Sequence, residues 1–530
     1  MSDMPDSARW TRRTILKTLA AGGGLLAASP ALRSAFAGQE PDLFLRIIAA
    51  PAAMAMRKGS RTPGLRYSGE VVRGRRDALV PGPGNLGPTL EFRRGERVRI
   101  EVVNRTGEET VIHWHGMIVP DAADGHPHQA VRSGKRYVVE FTVRNPAGTY
   151  LYHPHPHGIT GRQTYHGLAG LMVVREPVER EIGLPTPDRE LPLVLQDRRF
   201  GADNRLLFKR MMMDEMNGVL GDRVLVNGVD DAAFEVAPQR YRLRIANASN
   251  ARVYKLAWSD GRPLRVIAGD SGLFSRIEGV QERPYLTLFP FERVEVLEDF
   301  GARRDGAEIA LVSRTFSGMD TMGMMMGGGG GMMGGMMGGR GMMGGMMGGR
   351  GMMGGMMGPS QGDELHVARF NVSRGPRARE RDVALPEEPP RAPEGRHELH
   401  TRLAFRHMRG LLNGRSFDAR DMIAVAEDER LPAGKASIWT FTNDGPGMSM
   451  PHPMHIHGVR FRIVERSGGV VPADLRDGIV DAGYKDVVGI FPGERVRVQV
   501  APTIPGLFMY HCHNLEHEDG GMMRNVLFEA

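Results

Sequence analysis

The stretch of sequence that decides the fold lies close to the carboxyl terminus: Tyr510-His511-Cys512-His513-Asn514-Leu515-Glu516-His517-Glu518-Asp519-Gly520-Gly521-Met522-Met523. Cys512 is the only cysteine among the 530 residues, and a histidine stands on each side of it. Another histidine and a methionine follow a few residues later. One thiolate, two imidazoles and a distant thioether are the ligands of a blue-copper site. Cys512, His517 and Met522 supply three of these four ligands.

The residues around Cys512 place two kinds of ligand side by side. Successive side chains of a β-strand point to opposite faces. If residues 511–513 form a strand, the thiol faces one side, and the two flanking imidazoles face the other side, one peptide step away. The alternative is a buried free cysteine beside surface histidines, because unpaired cysteine is among the most buried residue types.

Three further histidine clusters favour a metal site over a buried free cysteine. They are His113-Trp114-His115-Gly116, Tyr152-His153-Pro154-His155 and His452-Pro453-Met454-His455-Ile456-His457-Gly458. Two histidines separated by one residue on a strand project both imidazoles from the same face, and neutral imidazole is a good copper ligand. With the carboxyl-terminal stretch, the clusters contain ten of the 18 histidines. Eight such histidines are enough to hold three coppers.

The order and spacing of these four clusters resemble the signature of the multicopper oxidase family. The resemblance implies an all-β fold of three cupredoxin-like Greek-key β-sandwich domains, with four coppers per chain and a trinuclear site between the first and third domains. Matched residue by residue, the type 1 ligands are His452, Cys512 and His517, with Met522 axial. The type 2 ligands are His113 and His455, and the type 3 ligands are His115, His153, His155, His457, His511 and His513.

The same resemblance implies a mechanism and two proton donors. A reducing substrate gives single electrons to the type 1 copper, and the electrons pass through Cys512 to His511 and His513. Four electrons then reduce dioxygen to two waters, so the partners are dioxygen and a reducing substrate. Asp124 and Glu518 fall where the family places its proton donors. Judged without the resemblance, Asp124 is more simply a loop aspartate in Asp121-Ala122-Ala123-Asp124-Gly125.

The amino terminus has the pattern of a twin-arginine export signal. Arg12 and Arg13 precede an apolar region at residues 19–28 and a small-residue cleavage site at Ala35-Phe36-Ala37. The sequence therefore predicts a signal peptide at 1–37, export by the twin-arginine machinery and a periplasmic protein with no stable membrane anchor. The apolar run is too short to cross a bilayer. The alternative is an anchoring helix that is retained.

The rest of the chain is organised as β-domains. Short alternating apolar runs predict domains at 42–178, 186–315 and 363–530, and residues 90–103 contain a hairpin-like break at Arg94-Gly95-Glu96. The middle domain has no ligand motif, so the sequence assigns it no chemistry. The net charge of +7 is modest and no basic patch is interleaved with aromatic residues, which argues against nucleic-acid binding.

Residues 317–358 form a low-complexity insert in which the unit Gly-Met-Met-Gly-Gly-Met-Met-Gly-Gly-Arg repeats. It contains 17 of the 35 methionines. Such glycine density predicts disorder, because ordering this backbone would cost much conformational entropy. Thioethers are soft ligands that select Cu(I), so the pairs Met332-Met333 and Met336-Met337 predict copper capture. The alternative is a plain flexible linker.

Two more methionines precede the predicted type 1 histidine His452. Met450 and Met448 are expected to pass Cu(I) to that site; the alternative is that they are core residues of a loop. Cuprous oxidases of the family carry an aspartate at the place of Met448, and Asp444 is the candidate substitute. The sequence thus predicts an exported multicopper oxidase of the copper-tolerance type that oxidises Cu(I), with phenols as further substrates. The alternatives are a general laccase, whose tract covers the type 1 site, and a non-catalytic periplasmic copper-sequestering protein.

Overall fold

The computed structural model describes residues 40–185, 187–208, 212–317, 359–377, 382–388, 393–406, 409–444, 450–469 and 471–530. The predicted signal peptide and residues 318–358 of the predicted insert lie outside the described residues. Six β-sheets pack in pairs into three sandwiches, which follow one another along the chain. The predicted fold class, three cupredoxin-like sandwiches, is confirmed. No helix in the described part of the chain is both long and apolar enough to cross a bilayer.

The first sandwich carries the first two histidine clusters. Its elements are β1 (Leu43–Met54), β2 (Thr62–Arg73), β3 (Leu79–Val80), β4 (Thr89–Arg93), β5 (Arg97–Asn104), β6 (Ile112–His115), β7 (Arg136–Thr142), β8 (Gly148–Pro154), α1 (Thr160–Tyr165) and β9 (Gly170–Arg175). The strand orders of its two sheets are β2-β1-β5-β7 and β3-β4-β9-β8-β6. Apolar side chains from both sheets, Trp114 and Phe141 among them, fill the space between the sheets.

One local expectation in this sandwich was wrong. The break at Arg94-Gly95-Glu96 does not close a hairpin, because β4 and β5 lie in different sheets. Gly95 has a φ of +87°, which turns the chain from one sheet to the other. Both strands still alternate between core and surface, since both face the same core.

The second sandwich contains no histidine cluster. Its elements are α2 (Val178–Glu181), β10 (Glu190–Arg198), α3 (Met212–Asn217), β11 (Arg223–Val226), β12 (Val229–Asp230), β13 (Ala232–Val236), β14 (Arg240–Asn247), β15 (Tyr254–Trp258), β16 (Leu264–Gly269), β17 (Gly272–Leu273), β18 (Gln281–Arg283), β19 (Leu286–Leu288), β20 (Arg293–Asp299), β21 (Glu308–Ser313) and β22 (Leu365–Val372). The strand orders are β12-β11-β10-β14-β20-β16-β17, with β18 paired to β16, and β13-β22-β21-β15-β19.

The third sandwich carries the other two clusters. Its elements are β23 (Glu394–Arg406), β24 (Arg409–Leu412), β25 (Arg430–Pro432), β26 (Ala436–Thr442), β27 (His452–Ile456), β28 (Phe461–Gly468), α4 (Ala473–Arg476), β29 (Val487–Ile490), β30 (Glu494–Val500), β31 (Gly506–Cys512), α5 (Leu515–Asp519) and β32 (Met523–Glu529). The strand orders are β24-β23-β26-β30-β28 and β25-β32-β31-β27-β29. The neighbours β27 and β31 therefore bring the two clusters of this sandwich together.

The strand pairing corrects one predicted domain boundary. The third domain was expected to begin at residue 363, but β22 pairs with β13 and β21 of the second sandwich. Phe370 on β22 is buried in the core of that sandwich. The glycine–methionine tract therefore interrupts the second sandwich between two adjacent antiparallel strands. The described residues that flank the tract meet, since the backbone N–H of Phe316 donates to the carbonyl of Gly362.

A small apolar core joins the three sandwiches beside the histidines. Leu151 comes from the first sandwich, Val194 and Phe291 come from the second, and Val487 and Leu515 come from the third. Burial of apolar side chains stabilises this junction by removing their surface from water. It therefore fixes the distance between histidines that lie far apart in the sequence.

Candidate metal sites

Cys512 lies at the centre of a mononuclear site. Its Sγ atom is 3.5 Å from Nδ1 of His452 and 3.5 Å from Nδ1 of His517. β27 begins with His452, β31 ends with Cys512, and α5 carries His517. Asn514 caps that helix, accepting a hydrogen bond from the backbone N–H of Glu516. All three metal-binding side chains are buried.

The ring nitrogen of His517 that faces Cys512 is free to bind a metal. Nε2 of His517 donates a hydrogen bond to the carbonyl of Met216 at 2.9 Å, which leaves a lone pair on Nδ1. Met522 is also buried, and its backbone is tied to the site, because Cys512 N–H donates to Met522 O and Met522 N–H donates to His517 O. The four predicted type 1 residues thus lie in one buried cluster.

The other eight predicted histidines form a second buried cluster between the first and third sandwiches. In one part of it, Nε2 of His113 lies 3.4 Å from Nε2 of His455. In another part, Nε2 of His511 lies 3.0 Å from Nε2 of His457 and 3.4 Å from Nε2 of His155. The rings of each pair come from different sandwiches or from different strands.

The remaining part of the cluster contains His115, His153 and His513. Nε2 of His513 is 3.1 Å from Nδ1 of His115. The ring centre of His153 is 5.2 Å from that of His513. The strand predicted at 511–513 ends one residue earlier, at Cys512, yet the opposed directions hold: the thiol faces His452 and His517, and its neighbours face the histidine cluster.

Hydrogen bonds outside the cluster fix which ring nitrogen faces inward. Nδ1 of His113 donates to the carbonyl of Asp124 at 2.8 Å, and Nδ1 of His457 donates to Oδ2 of Asp124 at 2.7 Å. Nδ1 of His455 donates to the carbonyl of Asp486 at 2.7 Å, and Nε2 of His115 donates to Oδ1 of Asp486 at 3.1 Å. Each imidazole therefore turns a lone pair toward its neighbours, as metal ligands require.

The donor set fits bound copper. Lone pairs about 3 Å apart repel one another unless a cation lies against both, and imidazole with thiolate suits copper. Nε2 of His153 faces the cluster and is buried with no hydrogen-bond partner among the described residues. A buried polar atom in this condition costs free energy, which a metal ion would recover. Cys512, His452 and His517 lie close enough to share one ion.

The charge states also fit metal binding. Burial lowers the pKa of His153 to about 3 and the pKa values of His455 and His517 to about 4, so these rings are neutral near pH 7. Neutral imidazole is the form that binds metals. Burial raises the pKa of the Cys512 thiol, so the thiolate forms when a cation replaces its proton.

Both predicted proton donors lie against the histidine cluster. Asp124 contacts His457 through Oδ2, as described above, while its Oδ1 is buried and has no hydrogen-bond partner in the described part of the chain. Oε2 of Glu518 lies 3.2 Å from Nδ1 of His511, and Oε1 lies 3.7 Å from Nε2 of His155. Burial raises the pKa of both carboxyl groups well above their usual values. Both acids are therefore placed to hold a proton beside the cluster.

The predicted Cu(I)-binding residues are only partly described. Met450 is buried and packs against Met216 and Phe405. Asp444 is on the surface and accepts a hydrogen bond from Nε of Arg402 at 2.8 Å. Met448, Met332, Met333, Met336 and Met337 lie outside the described residues.

The structure adds contacts that the sequence analysis missed. Asp486 bonds two histidines and also accepts two hydrogen bonds from Arg293, both at 2.6 Å. In the sequence, the signal that could have revealed Asp486 is its position as a carboxylate directly before the apolar pair Val487-Val488. The ring of Phe291 stacks on His513. Arg293 and Phe291 belong to the second sandwich, to which the sequence assigned no chemistry.

The three sandwiches and the two buried clusters define a copper oxidoreductase with a mononuclear and a multinuclear site. Profiles described as "Multicopper oxidase" match residues 75–179 and 390–530. The chain belongs to the multicopper oxidase family, whose members carry type 1, type 2 and type 3 coppers and use dioxygen as the electron acceptor.

Relatives of similar length support this assignment. A multicopper oxidase of Staphylococcus haemolyticus is 28% identical over 442 residues, covering 83% of this chain and 81% of that protein. The crystal structure of the McoA multicopper oxidase of Aquifex aeolicus superposes with a TM-score of 0.74 at 28% identity, covering 93% and 97% of the two chains. A multicopper oxidase of Campylobacter jejuni, described as a metallo-oxidase, superposes with a TM-score of 0.69 at 25% identity, covering 92% and 91%.

Proposed function

We propose that this chain is an exported cuprous oxidase that contributes to copper tolerance, with Cu(I) as its reducing substrate and phenols as secondary substrates. Cys512, His452, His517 and Met522 hold the type 1 copper, and His113 and His455 hold the type 2 copper. The type 3 coppers are held by His115, His153, His155, His457, His511 and His513. Cu(II), the product, crosses membranes less readily than Cu(I).

The protein's own residues provide the path and the protons. The coppers supply one-electron redox chemistry when bound, while the chain sets their spacing and surroundings. Cys512 is joined by single peptide bonds to His511 and His513, so a short covalent path connects the two sites. Oδ2 of Asp124 lies 2.7 Å from Nδ1 of His457, and Oε2 of Glu518 lies 3.2 Å from Nδ1 of His511. These distances to the histidine cluster are short enough for general acid catalysis.

The proposal that Cu(I) is the substrate rests on the position of Gln361, in the chain that follows the glycine–methionine tract. Gln361, three residues after the tract, lines the same cavity of about 20 Å³ as Met450, Pro451 and Pro453. Its side chain donates to the carbonyl of Ala251 at 2.8 Å and accepts from Val253 N–H at 3.0 Å. The chain that follows the tract is therefore held beside Met450, which precedes His452 by two positions.

The methionines around the cavity beside Met450 support a metal ion as the electron donor. Met216 and Met450 pack together, and the carbonyl of Met216 bonds His517 of the type 1 site. Thioethers are soft ligands that favour Cu(I). The cavity of about 20 Å³ beside Met450 is large enough for a small ion or a water. The metallo-oxidase description of the Campylobacter jejuni relative agrees with this choice.

Export is supported by the sequence. The twin-arginine pattern at residues 11–17 and the cleavage site at 35–37 predict transport to the periplasm. Purification of the protein from the periplasmic fraction with an amino terminus near Gly38 would agree with this prediction. Replacement of Arg12 and Arg13 by lysine should leave the protein in the cytoplasm.

Steady-state kinetics test the substrate. The KM for Cu(I) and the KM for a bulky phenol are measured for the wild type, Met450→Leu and a deletion of residues 319–357. We expect the KM for Cu(I) to rise several-fold in both variants. Met172→Leu, a buried methionine of the first sandwich, is the matched control. If the deletion raises phenol oxidation and leaves the KM for Cu(I) unchanged, the protein is a general laccase whose tract acts as a lid.

A second experiment separates an oxidase from a copper-sequestering protein. Cys512→Ser removes the thiolate and leaves the methionine tract intact. An oxidase loses its protection of cells against copper, whereas a sequestering protein protects as before.

A further inference from the structure

Phe291 occupies a backbone conformation that aromatic residues rarely adopt. Its φ is +64°, in the left-handed region where the Cβ atom of most residues clashes with the backbone. The residue is fully buried at the junction of the three sandwiches. Strained backbone that persists in a fold indicates that the side chain does something the fold requires.

The chain contains two counterparts of this turn, one in each of the other sandwiches. Pro290-Phe291-Glu292-Arg293-Val294 corresponds to Arg94-Gly95-Glu96-Arg97-Val98 and to Pro492-Gly493-Glu494-Arg495-Val496, and each of the three segments leads into a strand. In each turn the glutamate side chain accepts a hydrogen bond from the backbone N–H three residues earlier, at 2.8 to 3.0 Å. The three turns are therefore equivalent.

Only the middle turn departs from glycine. Gly95 and Gly493 have φ values of +87° and +74°, at the position where Phe291 has +64°. A Cβ added at Gly95 would meet nothing within 4 Å. In contrast, the side chain of Phe291 points toward the histidine cluster. At this turn position, the first and third sandwiches have a glycine, whereas the second sandwich has a phenylalanine whose ring reaches the metal site.

The ring of Phe291 contacts three histidines of the same part of the cluster. It stacks on His513, with ring centres 3.8 Å apart and planes 24° apart. It lies 4.6 Å from the ring centre of His153 and 5.5 Å from that of His115. Among the described residues, no side chain fixes the outer nitrogens of His513 and His153: Nδ1 of His513 is unpaired there, and Nδ1 of His153 donates to the adjacent Pro154 carbonyl.

We propose that Phe291 is a positioning residue that holds His513 and His153 in the orientation required to bind one of the type 3 coppers. The flat ring restricts rotation of the His513 imidazole by stacking, where four other histidines of the cluster are restricted by hydrogen bonds to Asp124 or Asp486. It also excludes water from this side of the cluster. The inference rests on the proposed ligand assignment.

Chelator-resistant copper content tests this role. Wild type, Phe291→Leu and Phe291→Gly are loaded with copper, and the rate of copper loss to a chelator is followed together with the blue absorption of the Cys512 site. Both variants should lose copper of the coupled pair about 10- to 100-fold faster, with the blue absorption unchanged. Electron paramagnetic resonance should show a signal from uncoupled copper of the pair, which is silent in the wild type.

Phe289→Leu is the matched control. Phe289 lies in the same turn and is buried, but its ring packs against Phe491 and not against a histidine. Wild-type copper retention in both Phe291 variants would overturn the inference, as would equal copper loss from Phe289→Leu, which would indicate general packing. If Phe291→Gly does not fold, Phe291→Leu decides alone. A wild type that binds fewer than four coppers would instead overturn the proposed function.

Discussion

Asp486 accepts a hydrogen bond from Nε2 of His115 at 3.1 Å, while Arg293 binds both oxygens of the same carboxylate. The three residues come from three different sandwiches and are fully buried. The carboxylate selects the tautomer of His115 whose Nδ1 faces His513. An arginine of the middle sandwich therefore acts on the metal cluster without touching it.

Asp486→Asn tests this relationship. The variant removes the nearer of two carboxylates beside the buried Arg293 charge and leaves only Asp270, 3.8 Å away, so the apoprotein should lose up to about 3–5 kcal/mol of stability. Copper affinity should fall about 10- to 100-fold, because the orientation of His115 is less restricted. Calorimetry of the apoprotein and copper titration measure the two effects.

The control is Asp305→Asn, which removes an exposed carboxylate paired with Arg377. Surface ion pairs contribute about 0–1 kcal/mol, so this variant should match the wild type. Equal destabilisation by the two variants would contradict the importance of the buried pair.

Gly410→Ala should change the type 1 site through Met522. A Cβ at position 410 would lie 2.3 Å from Cβ and 3.1 Å from Sδ of Met522, which is too close for either atom. Met522 must therefore shift, and the axial ligand tunes the potential of such a site. We expect a changed reduction potential and a changed electron paramagnetic resonance spectrum for the type 1 copper.

Gly375→Ala is the comparison for this substitution, since its nearest neighbour in the described residues would be Cδ of Pro238, 3.6 Å from the added Cβ. Spectra of Gly410→Ala identical to those of the wild type would show that Met522 does not approach the metal.

Asp124→Asn and Glu518→Gln should each slow dioxygen reduction. Burial raises the pKa of both acids, so each keeps its proton to a higher pH than a free carboxyl group does and loses it as the pH rises through the raised pKa. Reoxidation of the reduced enzyme should therefore slow toward alkaline pH. An amide cannot donate in this way, and the variants should reoxidise about 100-fold more slowly or worse.

Stopped-flow reoxidation measures this rate, and reduction of the type 1 copper by substrate should remain normal. Glu529→Gln, an exposed carboxyl group paired with Arg430, is the control. If Asp124→Asn or Glu518→Gln slows reduction of the type 1 copper and leaves the reoxidation rate unchanged, that acid does not donate protons during dioxygen reduction.

Copper uptake at Cys512 should depend on pH. Because burial raises the pKa of the thiol, the apoprotein holds this proton across the neutral range, and copper must displace it. His517 and His452 are already neutral, since burial lowers the pKa of both rings. Release of one proton makes the affinity rise about tenfold for each pH unit. Competition with a chelator between pH 6 and 8, followed by the blue absorption, measures the slope, and a flat profile would contradict it.

The sequence by itself determined the fold class, the metal and most of the residues around it. The single cysteine, the paired histidines and the strand period are local features, and the alternation of side chains on a strand already separates Cys512 from His511 and His513. The same local rules did not determine which sheet a strand joins. The turn at Gly95 therefore looked like a hairpin, and β22 was placed in the wrong sandwich.

Only the tertiary structure decided how the distant clusters meet and what surrounds them. His113 and His455 are 342 residues apart in sequence, and their nitrogens approach to 3.4 Å because three sandwiches bury a common apolar junction. No sequence motif marks the residues that contact or support the histidines, which are Asp486, Arg293 and Phe291. Their role depends only on where the fold places them. Residue types reveal which side chains can bind a metal. The orientation of each imidazole depends instead on contacts between chain segments that are far apart in the sequence and share no repeating pattern.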